Sequence, residues 1–261
     1  MPRFAANLGL LFPDRPLIER FEAAAKAGFT AVEAQFPYQY PASAVKAQIE
    51  KNGLKFLGIN TAPGRPGESG LGAVPGREQD FAAVFIQALD YVVEIGGTAI
   101  HCMAGMVSPR KLKAAERTFI SNLSLLADLA AEKNITLLIE PLNTRDRPNY
   151  VLTRVEQAAE IIRATGKSNI RIQFDFYHLQ IMQGDLLKRF EKHFDLIGHV
   201  QVAAVPSRHE PDEGELNFPE IYRALDAMGY RGWIGAEYNP RGRTEDGLGW
   251  ARPYGIVPKT S

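Results

Sequence analysis

The feature that most constrains this chain is an alternation: short β-like runs and longer helical patterns follow one another from end to end. Residues 4–10, 30–35, 54–60, 98–103, 135–140, 170–175, 196–202 and 233–237 read as eight strands. A first helix over Pro16–Ala27 opens on a proline, stops at Gly28, and carries Leu17, Phe21, Ala24 and Ala25 on one face. Ala42–Asn52 is the second helix, and Phe81, Phe85, Leu89 and Val92 mark a third. Arg110–Lys133, Arg154–Thr165 and Leu186–His193 follow, and Phe218, Ile221, Tyr222, Leu225 and Met228 form a last apolar stripe. A Gly/Pro-rich loop spans Ala62–Gly76, and the tail after Glu237 reads as short helix or irregular chain. Eight β/α units in one chain predict the α/β class and a (β/α)8 TIM barrel, as a single domain over 1–261. The competing doubly wound sheet often carries a Gly-rich first turn, and neither G-x-G-x-x-G after the first strand nor a P-loop is present.

Composition narrows the function classes. Thirty Lys and Arg balance thirty Asp and Glu, so no net field draws in nucleic acid or an anionic membrane. The longest apolar run, Phe81–Ile86, is far too short to span a bilayer. Pro13 and Asp14 interrupt the N-terminus before a signal-peptide core forms. The only cysteine, Cys102, excludes an intrachain disulfide and a multi-cysteine metal site; it is expected to be a small buried hydrophobe. The cytoplasm is the expected compartment.

In a barrel, chemistry gathers at the C-terminal strand ends. There the chain places Glu140 (TLLIE), Asp175 (IQFD), Gln201 (HVQVA) and Glu237 (WIGAE), on four successive predicted strands. Taken one at a time, such acids are as often helix caps or solvated loop starts. As a set following apolar runs, they are hard oxygen ligands suited to Mg²⁺ or Mn²⁺ rather than zinc or copper. His178, three residues past Asp175, starts the next helix toward the same rim, unless it is a buried structural histidine. Arg208, in PSRHEP, reaches an anionic or hydroxylated substrate or lies in solvent. Asn7 and Glu33 line the pocket or cap a loop, His199 lies deeper in the barrel, and His101 and His193 have no distinctive context. No G-x-S-x-G elbow occurs.

Several of these stretches are familiar together. RFAANLGLLF, VEAQFPY (Val32–Tyr38), GESGLGAVPGREQDF (Gly67–Phe81), LLIEPLN (Leu137–Asn143), IQFDFYH (Ile172–His178), GHVQVA (Gly198–Ala203) and GAEYNP (Gly235–Pro240) resemble the hydroxypyruvate isomerase family, in order and over essentially the whole chain. That family lies among the xylose isomerase-like TIM barrels, beside ketose 3-epimerases and 2-oxo-tetronate isomerases. The resemblance implies a divalent metal on Glu140, Asp175, Gln201 and Glu237, with Glu140 and Glu237 as the proton donor/acceptor pair. It further implies that His178 and Arg208 bind substrate oxygens, and it allows a homo-oligomer. Two departures matter. Related epimerases carry histidine where Gln201 stands, which favours the hydroxypyruvate isomerase branch. The loop SRHEPDEGEL (Ser207–Leu216) differs from the family's HRGEPGTGEI, although Arg208, Glu210, Pro211, Gly214 and Glu215 still align.

The expected reaction is interconversion of hydroxypyruvate and 2-hydroxy-3-oxopropanoate through a metal-stabilised enediolate, with two carboxylates serving the two carbons. The alternatives are an isomerase or epimerase of a larger substrate, such as 2-oxo-tetronate or a ketose, and a metal-dependent endonuclease. Neutral charge and few histidines argue against the endonuclease.

Overall fold

The computed structural model describes residues 1–259. Nine short parallel strands form one sheet in the order β3-β2-β1-β9-β8-β7-β6-β5-β4. They are β1 (Arg3–Asn7), β2 (Ala31–Glu33), β3 (Lys55–Phe56), β4 (Gly58–Asn60), β5 (Ala99–His101), β6 (Thr136–Ile139), β7 (Ile170–Asp175), β8 (Ile197–Val202) and β9 (Trp233–Ala236). The two edges, β3 and β4, are successive pieces of one predicted strand, interrupted at Leu57. Leu57 joins them: its N–H donates to Val32 O at 2.9 Å, and its carbonyl accepts from Thr98 and Ala99 N–H at 3.0 Å each. The sheet therefore closes on itself with the expected eight-strand logic.

Helices α1 (Leu17–Lys26), α2 (Ala42–Lys51), α3 (Glu78–Glu94), α4 (Leu112–Glu132), α5 (Val155–Thr165), α6 (Phe176–Met182), α7 (Leu186–Lys192) and α8 (Phe218–Ala227) clad the outside, and a 3₁₀ helix, Thr244–Tyr254, closes the tail. The main core lies between strands and helices, where Phe4, Phe21, Phe56, Phe81, Phe85, Phe119 and Phe174 are fully buried, and Cys102 is buried there as expected. A small second cluster packs Ala5, Ala31 and Leu57 against Trp233. Strands end earlier than the apolar runs suggest: β6 stops at Ile139 and β9 at Ala236, so Glu140 and Glu237 stand one residue beyond the ladder. No helix among the described residues is long and apolar enough to cross a membrane.

Candidate active site

Glu140 and Glu237 sit just beyond β6 and β9, and Asp175 closes β7; all three are buried. Asp175 also caps α6, its Oδ1 accepting from Tyr177 N–H at 2.8 Å, which turns the chain directly from strand into helix and brings His178 to the same spot. One ligand atom each from Glu140, Asp175, His178 and Glu237 lie within 4.8 Å of one another. Gln201, on β8, reaches this group through Gln173: the Gln173 Nε2 donates to Gln201 Oε1 at 2.7 Å and to Glu140 Oε2 at 2.9 Å. The other end of the Gln201 amide donates to Glu33 Oε1 at 2.7 Å. Because a carboxylate only accepts, Glu33 fixes the nitrogen of Gln201 toward itself and leaves the oxygen to accept from Gln173.

Crowding three carboxylates away from water has a clear electrostatic consequence. Burial, then the negative charges of Glu237 and Asp175, pushes Glu140 well above the usual carboxylate range. Burial and Glu237 push Asp175 up to about 7. Burial also raises Glu237, with Arg208 opposing it. Among the described residues, Glu140 Oε1 and Asp175 Oδ2 are buried without a hydrogen-bond partner. Desolvated anionic oxygens short of donors fit a hard divalent cation such as Mg²⁺ or Mn²⁺, which would supply the missing positive charge.

His178 has its Nδ1 3.2 Å from the Asn143 N–H and 2.7 Å from Asn143 Nδ2, while its Nε2 stands 3.6 Å from Asp175 Oδ2. Burial, then the nearby Arg208 charge, drives its pKa well down, so the ring is neutral. With Nδ1 accepting, the proton resides on Nε2, and His178 presents a donor to the cavity.

Arg208 adopts a left-handed backbone, φ 58°, that a non-glycine residue rarely takes. Its N–H donates to Ala204 O and its carbonyl accepts from Asn239 N–H, both at 2.8 Å. Gly214, at φ 80°, lets the same loop fold close; a Cβ there would stand 2.2 Å from Val205 O. So held, the Arg208 Nη2 donates to Glu237 Oε2 at 2.9 Å, its Nη1 lies 3.7 Å from Asp146 Oδ2, and the guanidinium stacks 4.9 Å from the Tyr177 ring centre. The other Glu237 oxygen accepts from Gln35 Nε2 at 2.7 Å and Asn7 Nδ2 at 3.3 Å. Arg208→Met should therefore raise the Glu237 pKa, moving the acid limb of the kcat/KM profile to higher pH. Loss of one charge-assisted contact should cost about tenfold to a hundredfold in kcat/KM. An unchanged profile would place Arg208 outside the machinery.

His101, which carried no distinctive context in the sequence, is a correction: it is buried with its Nδ1 3.3 Å from Glu140 Oε2, and burial lowers its pKa to about 3. Gln173 was also missed, although it precedes Asp175 by two and so shares its face of β7. Glu33 and Asn7 form the layer beneath: Glu33 accepts from Asn7 Nδ2 at 2.9 Å and pairs with His199 Nε2 at 2.6 Å. Gly235 makes the room, since a Cβ there would lie 2.4 Å from Glu33 Oε1.

A cavity of about 350 Å³ opens over the group, lined among others by Gln35, Asn60, Ser69, Arg147, Arg208 and Glu237. A larger one, about 580 Å³, enters from the strand starts, past Thr98, Thr136 and Trp233 to Glu33 and His199, and touches none of Glu140, Asp175 and Glu237.

The profile of the xylose isomerase-like TIM barrel family matches residues 21–254. The chain belongs to that family. Among its relatives, 2-oxo-tetronate isomerase of Cupriavidus necator is 46% identical over 97% of this chain and 99% of its own. Hydroxypyruvate isomerase of Escherichia coli is 38% identical over 97% and 100%. A Brucella melitensis crystal structure described as an AP endonuclease, family 2, superposes with a TM-score of 0.95 at 45% identity, covering 97% of this chain and 99% of that one. This xylose isomerase-like barrel is an enzyme of the isomerase kind, as its curated relatives are.

Proposed function

We propose that the barrel isomerises a small hydroxy-oxo acid by moving a proton between adjacent carbons, with Glu140 and Glu237 as the acid–base pair. The observation that carries this reading is the pair itself: two buried glutamates with raised pKa values, lining one small cavity. A carboxylate raised toward neutrality is a better acceptor of a carbon-bound proton than one at its ordinary value. With hydroxypyruvate, C3 gives a proton to one glutamate and C2 receives one from the other, while the hydroxyl proton passes from O3 to O2. The enediolate formed between these events carries one negative charge, in addition to that of the acid's carboxylate. His178 donates from Nε2 to a substrate oxygen, and Arg208 holds Glu237 in place and offsets its charge. Glu140, Asp175, Gln201 and Glu237 would hold Mg²⁺ or Mn²⁺, which when bound polarises the carbonyl and offsets the enediolate charge.

A second reading, the four-carbon 2-oxo-tetronate as substrate, is favoured by one observation: identity is 46% with the tetronate isomerase against 38% with the hydroxypyruvate isomerase. An endonuclease fits less well, because a cavity of about 350 Å³ admits a small acid rather than a duplex, and the chain carries no net charge. The deciding experiment supplies Mg²⁺ or Mn²⁺ and follows hydroxypyruvate, 2-oxo-tetronate and neutral ketoses by NMR. Turnover of an acid is expected. Turnover of ketoses alone, or cleavage of abasic DNA without isomerisation, would overturn the proposal.

A further inference from the structure

The cavity over the carboxylate group holds two cationic side chains, Arg147 and Arg208, and they are placed very differently. Arg208 is committed: Glu237 takes one guanidinium nitrogen, Asp146 lies beside the other, and Tyr177 covers its face. An acid substrate therefore finds that guanidinium already paired with a carboxylate. Arg147 is exposed and, among the described residues, pairs with no carboxylate; its Nη1 donates only to the Asp146 carbonyl, at 3.0 Å. It is close enough to lower the pKa of His178 by its charge, after burial and Arg208.

The backbone that carries Arg147 is pinned. Asn143 Oδ1 accepts from Asp146 N–H at 2.8 Å, and its Nδ2 donates to Asp146 Oδ2 at 3.1 Å. Tyr177 donates its hydroxyl to the same Asp146 oxygen at 3.0 Å, and Arg147 N–H donates to Asn143 O at 3.1 Å. The turn is thus tied to Asn143 and Tyr177, the residues that flank His178. The chain continues through Met106–Tyr150 pairing to the strand-end loop after β5, which in turn pairs through Ala104 with Gly70, next to Ser69. Ser69 and Asn60 line the same cavity, adding a hydroxyl and an amide.

We infer that Arg147 is the residue that binds the substrate carboxylate, and so selects hydroxy-oxo acids over neutral sugars. This rests on the proposed isomerase reading but names its specificity. A guanidinium presents paired donors to a carboxylate, and one carried on a pinned turn keeps its reach without requiring the backbone to order on binding. The acid group lies against Arg147 at the mouth, while the carbons that exchange a proton lie deeper, between Glu140 and Glu237.

The test compares the wild-type protein with Arg147→Met, which keeps the stem, and Arg147→Lys, which keeps the charge. Calorimetry with glycerate, an acid that lacks the carbonyl and cannot isomerise, is set beside glycerol, its neutral counterpart. Wild type should prefer glycerate, and Arg147→Met should weaken that binding about tenfold to a hundredfold, with glycerol and metal content unaffected. Arg147→Lys should recover part of it. On an acid that turns over, the same loss should appear mainly in KM, with kcat nearly kept. Equal glycerate binding by wild type and Arg147→Met overturns the inference, even if isomerisation is found. Loss of glycerate binding in the variant sustains it, even if the isomerised acid is a different one.

Discussion

Glu140→Gln and Glu237→Gln should each reduce kcat by about 10²–10⁴-fold, because an amide of the same size cannot take a carbon-bound proton. The two variants should differ in stability in a way that the structure sets. Glu140 Oε1 is buried without a donor and Glu140 is crowded by Asp175 and Glu237, so an uncharged amide there relieves repulsion and should raise Tm in metal-free protein. Both Glu237 oxygens already accept, from Gln35 and Asn7 on one side and Arg208 on the other, so an amide nitrogen must face a donor. Glu237→Gln should therefore cost about 1–3 kcal/mol. The double variant should turn over scarcely more slowly than the poorer single one, since the residues act in one sequence. Steady-state kinetics and thermal melts read all of this; near-wild-type kcat in both single variants would remove the acid–base assignment.

Removing divalent metal with a chelator should abolish activity, and should also make stability depend on pH in a defined direction. Asp175 is raised to about 7 in the fold against an ordinary value of 3.8, and Glu140 is raised well above its own. Between those values the folded protein binds more protons than the unfolded chain, so stability falls as pH rises from about 4 to 7. Asp175 alone makes this a few kcal/mol, or roughly 5–10 °C in Tm. Adding Mg²⁺ or Mn²⁺ should restore Tm, and by more at pH 8 than at pH 5, because protons and metal compete for the same oxygens. A melting temperature that ignores both pH and metal would contradict the shared burial of these carboxylates.

The barrel was legible because its signal is local. Each strand is an apolar run ending in a turn, and each helix shows its own period, so order and number followed from neighbours in the chain. The strand-end acids were legible for the same reason: Glu140, Asp175 and Glu237 each terminate such a run. What escaped depends on distance in sequence. His101 meets Glu140 from the adjacent strand β5, 39 residues away in the chain, and Gln173 bridges Glu140 and Gln201 from the strand between them. Nothing near His101 marks it, whereas Gln173 could have been found from its period-two relation to Asp175. Arg208 looks in sequence like a free loop arginine or a substrate ligand; that it also donates to Glu237 follows only from the left-handed turn that aims it. Arg147 gave no signal at all, since an arginine in TRDRP is an ordinary loop residue until the cavity places it. The interruption at Leu57 was equally hidden, because the run 54–60 is apolar enough to read as one strand.

The most direct test of the central claim is isomerisation of the preferred acid in D₂O, with Mg²⁺ or Mn²⁺ present, followed by NMR at the carbon that gains hydrogen. Two glutamates serving two carbons, one removing a proton and the other delivering one, predict that solvent deuterium appears there. Both Glu→Gln variants should block product formation. Product whose new C–H bond quantitatively retains the hydrogen lost by the neighbouring carbon would mean a direct shift or return by a single shielded base, and would contradict the account.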